Sequence, residues 1–145
     1  MAKIYRMSDR IKLKVDDITV IIGPLSIHQK ASIEEVATSS GLLKATMEAM
    51  RYAIKDIQGL SDSDGNEYKP KRDDSGYLTE EALDDIFNLE YSYKLSAICL
   101  NLLNNIPDEF MDPNTGKKLE GVEFIIDKES KSGKKQVAVS VDQDF

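Results

Sequence analysis

The amino-acid sequence predicts an α+β domain, mainly helical, with about four helices, one or two small β-hairpins and a flexible C-terminal tail. Three observations predict it. Two short β-prone runs lie within residues 10–22, joined by two turn-tolerant residues. Between residues 26 and 105, apolar side chains recur at intervals of three and four in segments bounded by capping residues. Beyond residue 127 the chain becomes Lys- and Ser-rich, without a core of its own. A chain of 145 residues is the size of one domain. It can bury a core that needs no disulfide or metal. We expect one globular domain over residues 1–126 and the tail over 127–145.

The first run, RIKLKV at residues 10–15, alternates Ile11, Leu13 and Val15 with Lys12 and Lys14. That is the period of a half-buried strand. Asp16-Asp17 separates it from Ile18–Ile22, so a tight hairpin is expected. Gly23-Pro24 ends it. Ser26 and Gln29 then have the spacing of a capping box, which opens a first helix that runs to Ser39-Ser40-Gly41. A second helix is expected over residues 42–57, with Leu43, Met47, Met50, Ile54 and Ile57 on one stripe and Gly59 as its stop. Residues 61–76 are polar and read mainly as a long surface loop, of a length usually functional or disordered, with Tyr68 in a short strand. Thr79 caps the third helix and places Glu80 and Glu81 in its first turn, where they suit the helix dipole. Asn88 to Glu90 interrupt the pattern, as a break or a bend. The fourth helix, over residues 91–105, carries Leu95, Ile98, Cys99, Leu102 and Leu103 and ends at Ile106-Pro107. After a turn at residues 112–116, VEFII at residues 122–126 and VAVSV at residues 137–141 have strand propensity.

The net charge is −7, and the basic residues form no single patch. An acidic surface repels phosphate backbones, so no nucleic-acid partner is expected. One cysteine, Cys99, cannot form an intrachain disulfide, and no apolar run is long enough to span a bilayer. These features point to a cytoplasmic chain with no membrane partner.

The sequence offers little chemistry. His28 is the only histidine and sits in the first turn of a helix, where a surface or capping role is expected. Cys99 lies on an apolar stripe and reads as a small buried hydrophobe, not as half of a Cys-His pair. The segment 62–67, DSDGNE, looks like part of a calcium loop. If Gly65 held the sixth position of an EF-hand, Leu60 and Lys71 would hold the first and twelfth, and neither is an acidic oxygen donor. Ordinary Asp-Gly turn chemistry is therefore expected there, with an irregular divalent site at Asp62, Asp64 and Glu67 as the alternative. Phosphate-loop, dinucleotide, zinc-protease, CxxC and nucleophile-elbow motifs are absent. We expect no catalytic residues, no cofactor and no metal, and a protein that acts by binding other proteins. The first place to look for a partner surface is the stripe at Met47, Met50 and Ile54 together with Leu102 and Leu103. A core face is the competing role for all five, because helical apolar stripes usually pack inward.

The order of features resembles that of tail assembly chaperones of long-tailed bacteriophages. The resemblance spans residues 10–105. It rests on Leu25-Ser26 after the strand pair, the phrase AIKDIQGL at residues 53–60, the DSDG loop at residues 62–65, and the helix start LTEEALDD at residues 78–85. It implies binding to the helical tape-measure protein before the tail tube polymerises, in the host cytoplasm. In that family a longer product often arises by ribosomal slippage, for which Gly133-Lys134-Lys135 is codable by an A-rich heptamer; a soluble Lys-rich tail is the favoured reading of the same residues. Another tail protein is an alternative partner, and homo-oligomerisation is left open. Two further readings compete: a structural virion component, such as a head–tail connector or tail-terminator subunit, and an acidic inhibitor of a host enzyme. Interspersed lysines such as Lys12, Lys14, Lys117 and Lys118 argue against the inhibitor.

Overall fold

The computed structural model describes residues 3–125. The tail expected over 127–145, with its VAVSV run and Gly133-Lys134-Lys135, lies outside the described residues. The elements in chain order are β1 (Ile11–Val15), β2 (Ile18–Ile22), α1 (Ile27–Ser40), α2 (Leu42–Ala53), β3 (Ile54–Gln58), α3 (Glu80–Phe87), α4 (Ser92–Asn101) and β4 (Val122–Phe124). This is a mixed α+β fold. The strands make one antiparallel sheet in the order β3-β2-β1-β4, more sheet than isolated hairpins would give.

Alternation along the strands decides which face the helices cover. Ile11, Leu13, Val15, Ile18, Val20 and Ile22 are buried, whereas Lys12, Lys14, Thr19 and Ile21 turn the other way and stay partly or fully exposed. The buried face meets α2, α3 and α4. On α2, Ala45, Ala49 and Ala53 lie at intervals of four and are buried, with Met50 beside them. Their small side chains let neighbouring elements approach closely. Fully burying each Ile or Leu of such a core contributes about 1.5–3 kcal/mol.

The second helix is shorter than its apolar stripe suggests. It ends at Ala53, and Ile54 is extended, with φ −79° and ψ 116°. Residues 54–58 pair with β2 instead, because an open edge beside β2 offers a ladder to a segment that carries two β-branched isoleucines. The ladder carries a bulge. Ile22 pairs with Ile54 and Ile21 with Asp56, so Lys55 is the extra residue.

The polar stretch 61–76 is no free loop. It contains two tight turns of one design, and a third follows at 111–118. In each, a leading aspartate (Asp62, Asp73 or Asp112) accepts hydrogen bonds on Oδ1 from backbone N–H groups two or more residues on. The flanking backbone closes a short antiparallel bridge. A glycine at positive φ completes each turn: Gly65, Gly76 and Gly116. Tyr68 lies outside any strand, and its hydroxyl donates to Asp85 on α3 at 2.7 Å.

Candidate protein-binding groove

The capping box expected at the start of α1 is present. Gln29 N donates to Ser26 Oγ at 3.0 Å, and Ser26 N donates to Gln29 Oε1 at 2.9 Å. The helix that follows is nevertheless thinly attached. Ile33 is its only buried residue, and the main packing partner of α1 is α2. Gly41, with φ 97°, reverses the chain into α2. Residues 37–44 are all exposed and carry no charge before Lys44, so the tip of the α1–α2 hairpin is an uncharged projection. At its front Leu42 and Leu43 are 69% and 66% exposed.

That tip leads into a groove of about 520 Å³ between α1, α2 and the start of α3. Val36, Met47, Leu78 and Leu83 form the apolar part of its lining. Leu43 is four residues before Met47 on α2, so the exposed leucine stands one helical turn from the groove without lining it. Lys44, Glu48 and Glu80 add charge of both signs along the rim.

A polar latch closes the far end. Arg51 Nη2 donates to Asp73 Oδ2 at 3.0 Å and lies over the rings of Tyr52 and Tyr77, 5.7 and 5.4 Å from their centroids. The two rings meet edge to face at 4.9 Å. The backbone N–H of Tyr77, then the Arg51 guanidinium, hold the Asp73 carboxyl below the usual carboxylate range. The same bond to Asp73 raises Arg51. The latch fixes the second aspartate turn against α2 and gives the groove a rigid end wall.

The residues singled out in the sequence separate by burial. Met50, Ile54 and Leu102 are within 2% of complete burial and belong to the core. Met47 and Leu103 border it and are partly open. Only Met47 lines the groove. Leu42 and Leu43, the most exposed part of this surface, were readable as two apolar residues directly after Ser-Ser-Gly.

His28 lies on the exposed start of α1, whereas Cys99 is buried in the core at 1% exposure, and burial pushes its thiol up to about 12. A thiol so placed is unreactive. Asp62 Oδ1 is engaged by the N–H groups of Asp64 and Asn66, at 2.9 and 3.0 Å, as turn chemistry requires. Among the described residues no three His, Cys, Asp or Glu side chains gather as metal ligands, and no helix is long and apolar enough to cross a membrane.

Compared with known proteins, the chain matches no protein-family model, no curated protein and no solved structure.

Proposed function

We propose that this chain is a non-enzymatic protein-binding domain that acts as a bacteriophage tail assembly chaperone, holding an apolar helix face of the tape-measure protein in the host cytoplasm. The observation that carries the binding reading is the uncharged hairpin tip with exposed Leu42 and Leu43, one helical turn from Met47 in an open groove. Such a surface suits an amphipathic helix, whose apolar side chains at intervals of three and four would lie along the groove while its flanks meet a rim of mixed charge. Covering exposed leucines on both partners removes apolar surface from water, which is the physical content of a chaperone's protection against aggregation. The phage assignment rests on the resemblance at Leu25-Ser26 and at residues 53–60, 62–65 and 78–85.

The test is co-expression with the helical tape-measure protein of the same phage genome. The two chains are expected to co-purify, and the helical partner to become soluble. Leu43→Glu should leave the fold intact and weaken the complex by about 2 kcal/mol, roughly thirtyfold in Kd. Met50→Glu should instead abolish folding. Absence of co-purification, or a Leu43→Glu complex as tight as the parent, overturns the reading.

A further inference from the structure

Away from the groove, at the edge of the sheet, three cations meet in a chain whose net charge is −7. Their convergence begins with the bulge in β3. Bulges re-aim the side chain of the extra residue and disturb the local ladder. Here the extra residue is Lys55. Arg72 Nη1 donates to the Ile54 carbonyl at 3.1 Å, and Arg72 Nη2 donates to that of Lys55. The second guanidinium comes from the N-terminal arm. Arg10 Nη1 donates to the carbonyls of Met7 and Asp9, at 3.0 and 2.8 Å. Gly23 explains how the two long side chains fit: a β-carbon there would stand 2.9 Å from Lys55 Cε and 3.0 Å from Arg10 Nη1. Lys55 and Arg10 therefore lie side by side across a residue with no side chain.

The Asp56 carboxylate acts on Arg72, but it does not pair with Lys55. Among the described residues the Lys55 ammonium has neither an ion-pair partner nor a hydrogen-bond acceptor. The neighbouring carboxylate, Asp56, accepts from Ile57 N at 2.9 Å and faces Lys69 at 3.7 Å. Burial, then Arg10 and Arg72, push Lys55 down to about 8.

We propose that the bulge of β3 is a receptor for one oxyanion group, a carboxylate or a phosphate, held between the Arg10 guanidinium and the Lys55 ammonium with Arg72 as the supporting cation. An oxyanion there would answer the unpaired ammonium and relieve the repulsion among three cations. The charged groups facing Lys55 are Arg10 from the arm and Arg72 from the loop, and Asp56 on β3 acts on Arg72. Of these, Lys55 is the one that changes charge near neutral pH. Binding should weaken as pH rises through about 8, where Lys55 loses its proton.

The experiment acylates the full chain at about pH 8 and reads each lysine by mass spectrometry. Lys55 should react about tenfold faster than the exposed lysines, because a larger share of it is neutral. Millimolar inorganic phosphate or acetate should slow Lys55 about fivefold and leave the other lysines unchanged, whereas chloride at matched ionic strength should not. Protection by phosphate alone assigns a phosphate ligand, and protection by acetate as well assigns a carboxylate, such as an acidic side chain of a partner. Arg10→Gln should remove the protection and Arg10→Lys should restore part of it. Equal protection by chloride, or none by any anion in the parent protein, overturns the proposal whether or not the variants fold.

Discussion

At Gly121, a β-carbon would displace the side chains of an ion pair. One there would collide with Asp16 Oδ1 and stand 2.8 Å from Lys94 Nζ, and φ at this residue is +76°. The constraint comes from a clasp around the β1–β2 turn. Asp16 holds an uncommon φ of +55°, its N–H donates to the Gly121 carbonyl at 2.8 Å, and its carboxylate accepts both-sidedly from Lys94 on α4 at 2.9 and 2.8 Å. Tyr91, one residue before α4, donates to Asp17 in the same turn. Gly121→Ala should therefore cost about 2 kcal/mol, from backbone strain plus displacement of the ion pair. A urea melt gives the value. In a Lys94→Met background the penalty should shrink, because one of the two clashing groups is gone, and a strictly additive double mutant would show that the clasp is not the cause. Asp73 allows a pH test at the same scale. Its carboxyl is held below the ordinary 3.8, so its ionised form is the one the fold favours. Its contribution is present above about pH 4 and disappears as pH falls through its folded-state value. Parent and Asp73→Asn proteins should differ in urea midpoint at neutral pH, and the gap should close as pH falls below the ordinary carboxylate range. A gap that persists in acid would mean the asparagine acts through the turn geometry alone.

Among the elements, α1 is the least secured. Ile33 is its one buried side chain, and no acidic residue in its first turn or basic residue in its last supports the helix dipole. Ile33→Ala should cost about 2–4 kcal/mol of docking. It should also raise hydrogen exchange across α1 while β1, β2 and α4 stay protected. Uniformly faster exchange in all elements would show instead that α1 and the core open together. The elements also show where the sequence was readable. The hairpin, both side-chain caps and the break near Asn88 follow from local chemistry, since each depends on residues within one turn of one another. β3 does not. Ile54 and Ile57 are three apart, which in a regular strand puts them on opposite faces and in a helix on the same face as Met47 and Met50. The Lys55 bulge reverses that expectation: with one extra residue between them, both isoleucines point into the core at 0% exposure. The bulge depends on β2 and on Arg72, neither of which a local pattern contains. For the same reason the stripe at Met47, Met50 and Ile54 read as one surface, although two of the three are core residues and only Met47 reaches the groove.

At the scale of the molecule, the order β3-β2-β1-β4 joins contacts of very different range. β1 and β2 are adjacent in sequence, and β3 follows one helical hairpin later. β4 returns from the far end of the described chain to pair Val15 with Val122 and Leu13 with Phe124. Closing that last pairing requires α4 and the 111–118 turn to be in place, because Asn101 ties the turn to α4 and Phe110 packs on Phe124 at 5.6 Å. Loop-closure entropy makes such a contact the most costly to form early. We therefore expect β4 to be unformed in the folding transition state. Val122→Ala should lower stability by about 1–2 kcal/mol and appear almost wholly as faster unfolding, with a φ-value near zero. Val20→Ala, in the centre of the sheet beside both β1 and β3, should slow folding measurably. Chevron plots of the two variants decide it. If Val122→Ala slowed folding as much as Val20→Ala, the sheet would close as a unit, and the Asp16–Lys94–Gly121 clasp would belong to the nucleus and not to the last step.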